Sequence, residues 1–278
     1  MKNYYHKTRL TVALITAVFS SIACLLPINA QLGNSSKSSI NFTPPPPPPD
    51  RSAAGERGSA ASRGCGNGEQ SLMALVPDYK ETINLDGGET IPVTKVWGLT
   101  TDEYPTFWFF VPYDFSSITE MEFVIQDKSQ KPTKTIYREN LEKPEKPGII
   151  SVDTKKAIEP LQLGKTKHQK KYHWFLKLKV KCSPQRSVES KSIDGWIERV
   201  NLSSNLTKNI QQATPLQQAA LYAENGIWHD ALTVLGEARL AKPKDASLLD
   251  NWKGLLESSE LDSLANYPLV NCCQTNSN

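Results

Sequence analysis

The sequence predicts a β-rich chain, an antiparallel immunoglobulin-like (Ig-like) β-sandwich followed by a small α-helical hairpin. Three observations predict it. Between Ser71 and Leu202, apolar residues recur at every second position in short runs broken by turn residues, with no helical period between them. From about residue 210 the period becomes that of a helix. Hydrophobic residues make up 38% and charged residues 22% of 278 positions, which is enough apolar material for a core. That balance excludes a wholly disordered chain, a collagen and a multi-span membrane protein.

The chain opens with the pattern of a secretory signal peptide over residues 1–30. Lys2, Lys7 and Arg9 lead, Leu10 to Leu26 is apolar and uncharged, and Pro27 precedes Ile28-Asn29-Ala30, a cleavage site before Gln31. The apolar run falls short of the roughly 20 residues that a membrane span needs, and no later stretch is long enough. The expected location is the periplasm or the extracellular space. Removing those three cations from 32 Lys+Arg leaves 29 against 29 Asp+Glu. A chain without surplus positive charge is a poor nucleic-acid binder.

Residues 31–68 read as a disordered linker. They are rich in Ser, Gly and Pro, and Pro44 to Pro49 form a stiff polyproline rod of about 3 Å per residue.

The sandwich is expected over residues 69–209. Its candidate strands are Leu72–Val76, Thr90–Trp97, Thr106–Pro112, Thr119–Asp127, Thr133–Asn140, Ile149–Val152, Lys171–Cys182 and Ser192–Asn201. Turns such as Asp86-Gly87-Gly88 and Lys146-Pro147-Gly148 separate them. Phe107-Trp108-Phe109-Phe110-Val111 is apolar on both faces, so it belongs in the middle, covered on both sides. The strand from Lys171 is the most legible. Tyr172, Trp174, Leu176, Leu178, Val180 and Cys182 share one face, and His173, Phe175, Lys177, Lys179 and Lys181 the other.

Residues 210–270 carry the helices. Thr214-Pro215 opens one, Trp228 to Ala241 forms a second ending before Pro243, and Ala246 to Ser258 a third. Residues 271–278 are a tail. With Cys24 in the leader, four cysteines remain for an oxidising compartment: Cys65, Cys182, Cys272 and Cys273. Four cysteines allow three disulfide pairings.

Tyr222, Gly226, Ala231, Leu235, Ala238 and Pro243 follow one another in the register of a tetratricopeptide unit, which the hairpin resembles. Further blocks carry a wider resemblance. They are Leu75-Val76-Pro77, Tyr104-Pro105-Thr106-Phe107-Trp108, Val111-Pro112-Tyr113, Tyr172-His173-Trp174, Gly195-Trp196-Ile197-Glu198-Arg199-Val200 and Ile227-Trp228-His229-Asp230-Ala231-Leu232. In this order they resemble an exported cyanobacterial family, the domain of unknown function 928. The resemblance implies export and no particular activity.

The chemistry is sparse. There is no nucleophile elbow, zinc-protease motif or phosphate loop. His168 and His173 lie on opposite faces of a strand, so no metal site and no cofactor is expected. The first functional reading is a non-catalytic module that contacts another envelope or exported protein through the hairpin. The second is a polysaccharide-binding module that stacks sugars on Trp97 and Trp196 and holds an anionic polymer on Lys177, Lys179 and Lys181. The third is a glycan hydrolase with two carboxylates drawn from Asp102, Glu103, Asp194 and Glu198.

Overall fold

The structure is a computed structural model that describes residues 39–46, 48, 54–59, 71–84, 88–164, 170–270 and 272. The signal-peptide reading, Cys65, Cys273 and His168 lie outside the described residues.

Among the described residues, nine strands form two sheets, and four α-helices follow them. The strands are β1 (Met73–Ala74), β2 (Asp78–Asn84), β3 (Thr90–Thr100), β4 (Phe107–Val111), β5 (Ile118–Asp127), β6 (Lys134–Asn140), β7 (Gly148–Val152), β8 (Lys171–Val180) and β9 (Glu189–Arg199). The large sheet runs β2-β3-β9-β8-β5-β6 and the small one β1-β4-β7. Every pair is antiparallel except β3 and β9, which run parallel from Trp97↔Trp196 to Thr100↔Arg199. The helices are α1 (Ser204–Gln212), α2 (Pro215–Glu224), α3 (Trp228–Ala241) and α4 (Ala246–Glu257).

Alternation along the strands sorts the side chains as expected. On β8, Tyr172, Trp174, Leu176, Leu178 and Val180 enter the core between the sheets. β4 sits in the middle of the small sheet and is buried along its whole length. Phe107, Phe109 and Val111 point into the sandwich core. Trp108 and Phe110 point the other way, into a second core beneath the helices. That second core gathers Trp228, Leu232 and Leu235 of α3 with Trp252, Leu255 and Leu256 of α4. The described residues therefore form three layers: large sheet, small sheet and helices.

The hairpin joins α2 to α3 through Gly226, whose φ of +75° suits a residue without a side chain. α3 approaches the small sheet closely because Gly236 has no side chain. A Cβ there would lie 2.6 Å from the Trp108 ring. Trp108 Nε1 donates to Thr233 Oγ1 (3.2 Å) and Trp228 Nε1 to the Leu75 carbonyl (2.7 Å), so both indoles keep a partner when buried.

Apart from the parallel β3–β9 pair in a sandwich expected to be antiparallel, the structure differs from the sequence reading in three places. β2 was not expected, because Asp78-Tyr79-Lys80-Glu81-Thr82-Ile83-Asn84 is mostly polar. It is an edge strand, where charged residues are normal, and it pairs along its length with β3. α1 begins at Ser204, inside the region assigned to the sandwich, with Ser203 Oγ accepting from the Leu206 N–H. Third, two pieces of the expected tether are packed on the fold. Ile40 and Phe42 are buried in the helix-layer core. The Ile40 N–H donates to Asn251 Oδ1 (3.1 Å), the Thr43 N–H to the Ala223 carbonyl (3.0 Å), and the Phe42 ring meets Trp228 edge-on at 4.9 Å. Two apolar side chains and a few backbone bonds fix this strap where composition alone predicts none.

Residues 54–59 form the other packed piece. Ala54 bridges to Lys95 of β3, Glu56 to Asp194 of β9, and Gly58 to Met73 of β1. The segment fills the fork where β3 and β9 diverge and ties the large sheet to the small one. Gly55 is required there, since a Cβ would meet the Asp194 carbonyl at 2.7 Å.

Candidate functional site

The sequence-derived surface residues come first. Trp97 is 4% exposed, so it offers no face to a sugar. Trp196 is half-buried. Its ring stacks on His173 at 4.2 Å and 8°, and its Nε1 donates to the Ala54 carbonyl (2.9 Å). The register that pairs β5 with β8 sets Glu120 opposite Lys179 and Glu122 opposite Lys177. The Lys179 ammonium lies 2.8 Å from Glu120, and that of Lys177 3.9 Å from Glu122. Lys181 lies beyond the end of β8 and is exposed. The lysine stripe is thus largely neutralised by the next strand, a cross-strand pattern that stabilises a sheet more readily than it collects polyanions. Cys182 and Cys272 pack, partly buried, against the sandwich core.

Of the four candidate carboxylates, two are held by neighbouring side chains and a third is buried. Glu103 pairs with Arg199 (3.0 Å) and Asp194 with His173 (2.7 Å). Glu198 is buried, with Oε2 lacking a partner among the described residues. Burial raises its pKa, and Lys171 opposes that shift. Asp102 alone reaches a cleft.

That cleft lies where the β3–β4 loop meets α2 and α3 and has a volume of about 220 Å³. Tyr104 and Tyr222 line it, with Asp102, Asp230 and Glu237 as acceptors and Lys155 as the cation. β3 ends at Thr100, and Asp102 shapes the loop by accepting the Tyr104 N–H on Oδ1 (2.9 Å), an Asx turn. α3 starts two residues after Gly226, which places Asp230 in its first turn. There the helix dipole favours an anion.

Asp230 is held tightly from the sheet side. Thr100 Oγ1 donates to Oδ2 (2.7 Å), the Thr101 N–H lies 3.2 and 3.1 Å from the two oxygens, and Thr101 Oγ1 donates to Oδ1. Burial nevertheless dominates. It pushes the carboxyl up to about 6, with the nearby Asp102 adding to the rise and the threonine donors opposing it. Burial, reinforced by the Asp230 charge, likewise raises the Tyr222 hydroxyl.

His229 lies beneath. It is 2% exposed, and burial pushes its pKa down to about 3. The Thr106 backbone holds one ring nitrogen, while Nε2 has no partner among the described residues. Gly98 makes room for the ring, as a Cβ there would lie 2.9 Å from Nε2. Sequence reasoning missed both His229 and Asp230. Both stand in a block that carries the family resemblance, but the resemblance gives them no role, and an acid in the first turn of a helix is a pattern the dipole alone accounts for.

Among the described residues no cluster of three His, Cys, Asp or Glu is arranged to hold a metal, and no helix is long and apolar enough to cross a membrane. A family model described as Domain of Unknown Function (DUF928) matches residues 53–269. The chain belongs to this family. The DUF928 match spans the inserted segment at 54–59, both sheets and all four helices, so the helices are part of the family's unit. No curated protein and no solved structure is significantly similar to the chain.

Proposed function

We propose that this DUF928 protein is an exported, non-catalytic binding module whose cleft takes one unit of a neutral glycan. The observation that carries the reading is the convergence of two tyrosine rings and three carboxylates on a single small cleft. Sugar hydroxyls donate to the Asp102 and Glu237 carboxylates, the Asp230 oxygens being taken by Thr100 and Thr101, and the C–H face of a sugar ring packs on an aromatic ring. Three acids against one lysine disfavour an anionic polymer. The volume lies below the roughly 300–1,000 Å³ of sites for drug-sized ligands, which fits one ring.

Protein contact through the hairpin has less support, because the apolar faces of α3 and α4 are already covered by the small sheet. Export rests on the N-terminal pattern of residues 1–30, and it brings with it a disulfide framework for Cys65, Cys182, Cys272 and Cys273.

The test is affinity electrophoresis of the full chain through gels loaded with neutral or with anionic polysaccharides. Retardation by a neutral glycan, weakened at least tenfold by Asp102→Asn and Tyr104→Ala and unchanged by Lys179→Ala, supports the proposal. Retardation only by an anionic polymer, or none at all, rejects it.

The raised Asp230 carboxyl beside Asp102 favours a second reading, a hydrolase in which a protonated acid serves a partner carboxylate. Against it, Thr100 and Thr101 already fill both Asp230 oxygens. Release of reducing ends from the retained glycan, abolished by Asp102→Asn, would establish hydrolysis instead of binding alone.

A further inference from the structure

The strap at residues 39–46 sits in a groove built to receive an extended backbone. Asn251 and Gly254 of α4 and Ser258 at its C-cap share one stripe of the helix. Asn251 Oδ1 accepts the Ile40 N–H (3.1 Å), Ser258 Oγ accepts the Phe42 N–H (3.2 Å), and the Ala223 carbonyl of α2 accepts the Thr43 N–H (3.0 Å). Both side-chain acceptors are held from behind. Asn251 Nδ2 donates to the Ser247 carbonyl (2.8 Å) and the Ser258 hydroxyl to the Leu255 carbonyl (2.6 Å), which leaves their oxygen lone pairs for the strap. Two glycines let the backbone come close. A Cβ on Gly254 would lie 2.4 Å from the Ser39 Cβ, and one on Gly226 would lie 3.0 Å from the Pro45 ring. Ile40 and Phe42 are buried, while Asn41, Thr43 and Pro44 stay exposed. The groove therefore reads three backbone N–H groups, an aliphatic side chain, an aromatic one two places on and a proline three places after that.

Nothing ties that pattern to this one segment. The family match covers residues 53–269, which include Ala223, Gly226, Trp228, Asn251, Gly254 and Ser258 and leave out the strap. The groove belongs to the family's unit and its present occupant does not. The seat is also a modest one. Two apolar side chains and three hydrogen bonds are set against the conformational freedom of a polar, proline-rich stretch. The strap's advantage is attachment, which keeps it near at hand. We propose that the groove is a docking site for an extended segment of a partner protein with the pattern aliphatic-x-aromatic-x-x-proline, and that the strap fills it in cis until such a segment displaces it. The docking surface is this groove and not the apolar faces of α3 and α4, which the small sheet covers. It shares no residue with the glycan cleft, so the two proposals stand or fall independently.

Fluorescence anisotropy of a labelled peptide of residues 39–46 tests it, on the full chain and on a full chain whose strap is vacated by Ile40→Ser with Phe42→Ser. The vacated chain should bind one peptide. The unaltered chain should bind it about ten- to a hundredfold more weakly, since its own strap competes. Asn41→Gln with Thr43→Ser in the peptide should change affinity by less than about threefold, and Phe42→Ser in the peptide should weaken it by about tenfold or more. Gly254→Ala in the vacated chain should weaken binding by a similar factor. Alanine suits a helix better than glycine, so that loss would come from blocked approach and not from unfolding. Vacating the strap could itself loosen the helix layer. A diazirine-bearing peptide on the unaltered chain therefore gives a second readout, with labelling expected on residues 223–228 and 251–258. Absence of labelling at saturating peptide would make the strap a fixed part of the fold and overturn the proposal. So would no binding by a folded vacated chain, equal binding by the two chains, binding untouched by Gly254→Ala, or labelling confined elsewhere. Self-association of the unaltered chain, abolished by Ile40→Ser with Phe42→Ser, would give the groove to the strap of a second copy and overturn a separate partner.

Discussion

The two faces of β4 look onto two different interiors. Phe107 and Phe109 face a core built from strands, where they meet Phe123 and Trp174 at ring distances of 4.9–6.0 Å. Trp108 faces the helices, where polar groups sit among the apolar ones: Thr233 on its indole, and Arg239 over the Trp252 ring that packs against it, while His229 of α3 reaches past the seam to meet Phe107 edge-on. Both candidate sites draw on the helix layer. The difference teaches that the sandwich supplies the rigid frame, while the helix seam tolerates buried titratable groups and leaves gaps at its rim.

The largest expected effects separate the two interiors directly. Phe109→Ala and Trp108→Ala should each destabilise by about 3–5 kcal/mol, measured by urea unfolding. Because β4 belongs to both cores, each variant should unfold in one transition. Two transitions in Trp108→Ala, helices first, would show that the layers are independent units and break the comparison.

Overpacking sharpens it. Gly195→Ala places a methyl 2.4 Å from the Trp174 ring in the strand core, and Gly236→Ala one 2.6 Å from the Trp108 ring under the helices. Each should cost about 1–3 kcal/mol. Near-ultraviolet circular dichroism should show the Gly236→Ala change at the indoles of the helix layer.

Two neighbouring groups on α3 titrate with opposite sign. His229 titrates near 3 in the fold against its ordinary 6.5, so it contributes stability at neutral pH that is lost as pH falls from 6.5 to about 3. Asp230 titrates near 6 against 3.8, so its contribution is present at low pH and lost as pH rises from 3.8 through 6. Between about pH 4 and 6 the two slopes oppose, each about 1.4 kcal/mol per pH unit. His229→Gln should therefore be more stable at pH 4 than at pH 7, and Asp230→Asn should lose stability steadily below pH 6.5. Tyr137→Phe, in the sandwich, should leave that window unchanged, since burial pushes the Tyr137 hydroxyl up to about 12. Identical pH profiles for the two α3 variants would remove the titratable seam from the picture.

The smallest effect belongs to the outer sheet face. Lys179 and Glu120 are 50% and 65% exposed, and Lys179→Ala should change stability by less than about 1 kcal/mol in thermal melts.

Legibility follows the same division. β4 and β8 were readable because strict alternation, or burial on both faces, leaves a period that survives any tertiary detail. β2 was not, because an edge strand takes its stability from pairing and carries Asp78, Lys80 and Glu81. The strap at Ile40 and Phe42 was not, because two apolar side chains in a polar stretch make no period. Two of the four acids that sequence offered for a site are taken up by contacts with Arg199 and His173. Asp102, which sequence did offer, reaches the cleft, but Asp230 beside it is placed by the docking of α3 on β3, which no local pattern encodes.

The segment at 54–59 also bears on the order of events during synthesis. It precedes every strand in the chain, yet its seat lies between β3 and β9, and the Trp196 indole that bonds to Ala54 arrives 142 residues later. The seat does not exist until residues 189–199 have been made and paired. An early-born piece of chain must therefore wait, and closing so large a loop is entropically slow. A nascent chain stopped before residue 189 would have most of its sandwich strands and no place for its own beginning.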